Sequence, residues 1–156
     1  MPIATARLAR LRAPLLLSLT ALLALESAGG LVLLFVRVAF GAMPGVTIHV
    51  VGGLALTIVY TIYQWTHWHR VAPWRSRPDY VLGLIAALSM AAVNLTGLAL
   101  AWFWWRAQPR ATPASYPTAL SAVHTLATML VLTFAGGHLA AVLVRDRGVA
   151  RGLERP

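Results

Sequence analysis

The sequence predicts an all-α protein, an integral membrane four-helix bundle with both termini on the cytoplasmic side. Three observations predict it. The 156 residues are 59% hydrophobic and only 11% charged, with a mean hydropathy of +0.73, where a soluble domain carries about 25% charged residues. The apolar residues fall into four runs, each long enough to cross a hydrocarbon layer of about 30 Å. Between the runs stand short linkers rich in Pro and Gly, where helices break and a bundle turns.

The first span is expected over about residues 14–38. It follows a basic arm with Arg7, Arg10 and Arg12, and its start, LLLSLTALLAL, resembles the apolar core of a signal peptide. The run continues through ESAGGLVLLFV without an A-x-A cleavage pattern, so a retained helix is expected rather than a removed leader. The second span is expected over about 44–66, with Pro44 in its first turn, where a missing N–H costs nothing. The third is expected over about 80–104 and the fourth over about 117–144. The linkers GAMPG, HRVAPWRSRPD and RAQPRATPASYP leave no room for a second domain, so residues 1–156 read as one four-span unit.

Charge sets the orientation and removes one class of function. All thirteen basic residues are arginines, and they gather at span ends. Ten lie on the arm, the second linker and the tail, against Arg37, Arg106 and Arg110 on the other side. The positive-inside rule then places both termini in the cytoplasm of a bacterial-type inner membrane. The net charge of +9 is therefore topological, and no soluble basic surface remains for nucleic acid. Trp65, Trp68, Trp74, Trp102, Trp104 and Trp105 also sit at span ends, as an aromatic belt does. The chain has no cysteine, which removes disulfides, thiolate-bound metals and covalent haem attachment.

A weak internal duplication organises what is left. His49 is followed 21 residues later by Arg70, and His124 is followed 21 residues later by Arg145. Each of these spans is preceded by one with a small-residue patch, Ser27-Ala28-Gly29-Gly30 and Asn94-Leu95-Thr96-Gly97, where a helix or a flat ligand can approach the backbone. Spans two and four are expected to run in the same direction, with His49 and His124 at equal depth near the periplasmic side.

Imidazoles in oil are expensive unless paired. One reading of His49 and His124 is structural, with the rings bonded to backbone or to each other. The other is axial ligation of one haem iron, which a bundle can hold between facing helices. Gly52 and Gly53, a turn below His49, and Ala127 are expected to leave room for a porphyrin face. His138 lies fourteen residues after His124, which is roughly 21 Å along the axis and within about 40° of the same face. It marks a second level, preceded by Gly136 and Gly137. Its repeat equivalent is Tyr63, a poor iron partner, and the nearest candidate is His67, five turns below His49 on one face. His69 faces elsewhere. The metal-ligand set is therefore His49, His124, His138 and His67, with interfacial roles as the alternative for His67 and His69. Arg70 and Arg145, like Arg37 and Arg106, can pair with haem propionates or simply anchor the helix ends. Glu26 is the one acidic residue deep in a span. It reads either as a proton-relay or quinone-site carboxylate, or as a protonated group bonded to a neighbouring helix.

With His124 and His138 at fourteen-residue spacing on one helix and His49 on another, the chain resembles the membrane-bound b-type cytochromes. These include cytochrome b of the quinol oxidoreductases and the four-helix cytochrome b subunits of formate dehydrogenases and hydrogenases. The resemblance covers spans two and four, and the rest only as an apolar outline. It implies two b haems, at least one of them at His49 and His124, that exchange electrons with quinone across the bilayer. The sequence departs from it at Tyr63, where the repeated spacing would place a histidine, and in span one, which has no histidine.

The expected function is transmembrane electron transfer, as one subunit of a quinone-linked oxidoreductase complex rather than a complete enzyme. The expected partners are lipid, the quinone pool and a redox subunit with a soluble domain or an iron–sulfur centre. Two other functions fit the sequence: a cofactor-free anchor or assembly subunit, and a small proton-coupled transporter using Glu26 and the histidines.

Overall fold

The computed structural model describes residues 14–71, 78–110 and 115–150; the side chains of residues 70, 71, 78, 79, 110 and 145–150 lie outside the description. The described residues form four helices, α1 (Pro14–Phe40), α2 (Val46–Val71), α3 (Pro78–Ala107) and α4 (Thr118–Ala150), with a 3-10 turn at Gln108–Arg110. All four contain a stretch long and apolar enough to cross a membrane. The helix ends carry recognisable signals. Pro14 and Pro78 stand first in α1 and α3, where proline's fixed φ suits a helix start. Thr20, Thr57, Thr61, Thr128 and Thr133 each donate a hydroxyl proton to the carbonyl four residues back. This satisfies these polar groups without leaving the helix.

Helix limits follow the hydropathy, except that α4 runs on to Ala150, six residues past the expected end, and that α2 differs in two instructive ways. Pro44 is not in the first turn of α2 but in the turn before it. The Val46 amide reaches the Met43 carbonyl at 3.4 Å across Pro44 and Gly45, and Gly45 has φ +77°. Proline second and a positive-φ glycine third make a type II turn. Just before it, Gly41 (φ +67°) closes α1 by donating to the Arg37 carbonyl at 2.9 Å, the left-handed helix cap. The second difference is that α2 runs on to Val71. Its last turns hold Gln64, Trp65, Thr66, His67 and Trp68, side chains that tolerate an interface and have no reason to end a helix there.

The helices pair as two hairpins. α3 and α4 share the most extensive contact and α1 and α2 the next, while α2 meets α3 only briefly. The best-buried apolar cluster takes one residue from each helix, Leu19, Leu56, Met90 and Val131. Leu56 follows His49 by seven residues, and Val131 follows His124 by seven and precedes His138 by seven. An apolar layer thus lies about 10 Å along the axis from each histidine level of α4.

Candidate functional site

Above that layer, towards the Gly41–Gly45 turn, the hairpins enclose a cavity of about 200 Å³ walled mostly by aliphatic side chains, with Glu26, His49, Asn94 and His124 among its polar groups. His49 enters from α2 and His124 from α4. Their ring centroids lie 6.4 Å apart with planes at 79°, so the two imidazoles that the repeat sets at equal depth do meet. Each leans on a glycine of its hairpin partner. A Cβ at Gly30 would come within 3.3 Å of Cε1 of His49, and one at Gly97 within 3.2 Å of Cε1 of His124. Here the small-residue patches of α1 and α3 make room for rings, as close approach in a membrane bundle requires.

An oxygen lies close to the outer nitrogen of each ring. Nδ1 of His124 lies 3.0 Å from Oγ1 of Thr96. That hydroxyl has one proton and sits 2.6 Å from the Ala92 carbonyl, to which it donates. Towards His124 it is therefore an acceptor, which places the ring proton on Nδ1 and the lone pair on Nε2. Nδ1 of His49 lies 2.7 Å from the Glu26 carboxylate. It is a charge contact and not a hydrogen bond: among the described residues neither of these two buried atoms has a hydrogen-bond partner. Glu26 is buried. The room at Gly52, expected for a porphyrin face, is taken by this side chain: a Cβ on Gly52 would collide with the Glu26 carboxyl, and one on Gly53 would lie 3.8 Å from Oε2. Ala127 is buried as well.

The donor set fits a metal with two opposed imidazoles. A ring nitrogen binds a first-row metal at about 2 Å, so two rings on opposite sides of one metal have centroids roughly 6 Å apart. Ligating histidines characteristically donate their other N–H to a carboxylate or another oxygen; His124 has such a bond to Thr96, and His49 has the Glu26 carboxyl beside it. Arg37 and Tyr116 also line the cavity. Burial pushes the Tyr116 hydroxyl above its ordinary pKa and the Arg37 charge opposes this, so the phenol stays neutral at physiological pH.

The second level is built differently. His138 packs on α3, where a Cβ at Gly83 would come within 3.1 Å of its Cε1 and Nδ1. His67 stacks on Tyr63 of its own helix at 5.2 Å, with the phenol oxygen 3.4 Å from Nδ1. His69 is exposed and donates from Nδ1 to the Trp65 carbonyl at 2.7 Å, which suits an interfacial role. Among the described residues no group of three or more His, Cys, Asp or Glu forms a metal cluster. The side chains of Arg70 and Arg145 lie outside the described residues; Arg106 stacks over Trp102 at 6.0 Å.

Sequence reasoning missed the partners. In sequence alone Glu26 fits several roles, and nothing marks Thr96 or Gly83 as a partner. Gly52 was the usable signal for Glu26, since a glycine facing a lone buried carboxylate marks a seat. No family model matches this chain, and no curated protein or solved structure matches it either.

Proposed function

We propose that this chain is a cytochrome b–type membrane subunit that carries electrons through b haem across a bacterial-type cytoplasmic membrane. It would span the membrane four times with both termini in the cytoplasm, and serve a quinone-linked oxidoreductase complex. One observation carries the reading. His49 and His124 meet from different hairpins at 6.4 Å, with their Nδ1 atoms beside Glu26 and Thr96, so the Nε2 atoms would be the ones to hold a shared iron. When bound, haem supplies one-electron chemistry that the protein's own groups lack. His49 and His124 would hold the metal, Gly30 and Gly97 allow the rings their place, and the aliphatic wall would keep water out. Arg37, at the cavity rim, offers a charge for a propionate. His138 and His67 are the proposed ligands of a second haem roughly 21 Å further along α4, with Arg70 and Arg145 near that end.

A quinone ring would find apolar walls and polar anchors in the groove between α2 and α3. This groove of about 500 Å³ is lined by Tyr60, Gln64, Trp65, Trp68 and Asn94. A partner subunit would supply or receive the electrons.

Absorption spectra of the purified protein test the proposal. A Soret band, a reduced α-band and haem at one or two per chain are expected. His49→Ala or His124→Ala should each remove the same haem. A colourless protein would instead favour proton-coupled transport, for which the contact between Glu26 and His49 within a cavity is the specific support. If His49→Ala and His124→Ala both keep every haem, the ligand assignment fails.

A further inference from the structure

We infer that Glu26 is a positioning residue, seated against Gly52, that holds His49 by its outer nitrogen and makes the two facing imidazoles unequal donors. The inference rests on the haem reading of the His49–His124 pair and goes beyond it by assigning a residue that ligates nothing.

The seat is built rather than incidental. Glu26 is 7% exposed, and a carboxyl group in an apolar bundle is costly unless something holds it. Its carboxyl fills the place a Cβ would take on Gly52, so this position excludes every residue but glycine while Glu26 stays where it is. The duplication supplies an internal contrast. Counting by the offset that relates Gly30 to Gly97, Glu26 corresponds to Val93; by the offset that relates His49 to His124, Gly52 corresponds to Ala127. The second hairpin has a valine and an alanine where the first has a carboxylate and a glycine. Packing alone is therefore served without either, and the acid belongs to His49.

The two outer partners differ in strength. A carboxylate 2.7 Å from Nδ1 of His49 acts on that ring through its charge, whereas the Thr96 oxygen beside His124 is a neutral dipole that already gives its proton to Ala92. A carboxylate charge beside Nδ1 makes Nε2 more basic, and a more basic ligand favours the oxidised metal. The Thr96 hydroxyl does less for His124.

The test uses the full chain with its haem and reads the midpoint potential and the iron–imidazole stretching frequency by resonance Raman. Glu26→Gln keeps size and polarity; it should retain haem, raise the potential and lower the frequency. Thr96→Val should move both less. Gly52→Ala keeps the carboxyl but displaces it, so its shift should run in the same direction. The double variant should move no further than the larger single one, because both act through one contact. A coloured wild type whose Glu26→Gln form keeps both values overturns the inference and leaves the haem reading standing. So does a Thr96→Val shift as large as that of Glu26→Gln. Should Glu26→Gln lose its colour, Gly52→Ala decides alone, and unmoved values there overturn the inference. A wild type without haem overturns the inference and the function together.

Discussion

The two histidine levels of the bundle share a helix and differ in how they are equipped. At the first, His49 and His124 come from different hairpins and face each other across 6.4 Å, each with an oxygen at its outer nitrogen. At the second, His138 rests on Gly83 of α3 while His67 stacks with Tyr63 along its own helix. Both levels have a glycine opposite an α4 imidazole, so close packing alone does not separate them. The difference lies in the second ring, which comes from the other hairpin at the first level and stacks along its own helix at the second. Two helices must bring their imidazoles together before one metal can share them, and the contrast teaches that register between helices, not the count of imidazoles, distinguishes a prepared site.

The comparison can be broken most directly at α4. His124→Ala should abolish the first-level haem, whereas His138→Ala should leave its Soret intensity and its split of oxidised and reduced forms unchanged. Equal losses in quantified haem would make the levels one cooperative site. The apolar layer between them comes next. Leu56→Ala, at a position 5% exposed, should cost about 2–4 kcal/mol of unfolding free energy in detergent. Ile58→Ala, at a position 63% exposed, should cost under about 1 kcal/mol. Similar denaturation midpoints for the two would mean the layer is not packed as described.

Two adjacent glycines sharpen the first level further. Gly30→Ala brings a Cβ to 3.3 Å from the His49 ring, while at Gly29 nothing lies within 4 Å. The former should perturb the haem spectrum and cost about 1 kcal/mol. The latter should be silent in the spectrum and neutral or stabilising by about 0.5 kcal/mol, as alanine is the better helix former. The smallest effect belongs to His69→Ala. It loses one exposed bond to its own helix and should shift thermal stability by less than about 0.5 kcal/mol without altering the spectrum.

Much of this arrangement could be read before any coordinates. Four apolar runs located four helices because helix length follows hydrocarbon thickness, and the His49–His124 encounter followed from a repeat that sets equal depth. What could not be read was the rotational and axial register between antiparallel neighbours. Glu26 precedes His49 by twenty-three residues across a turn whose geometry hydropathy does not encode, so their contact was invisible. Pro44 shows the same gap: proline is equally at home in a first helical turn and second in a type II turn, and the positive-φ Gly45 beside it decides between them. Thr96 was noticed only as part of a small patch, because its bond depends on where the His124 ring leans.

The tight connection between α1 and α2 therefore does more than reverse the chain. With Gly41 and Gly45 both left-handed, it acts as a spacer of fixed gauge between the acid on one helix and the imidazole on the next. One extra residue there would ask α2 to swivel by about 100° or to buckle. The surroundings of a buried imidazole would then be governed by the length of a bend that touches neither the imidazole nor the acid.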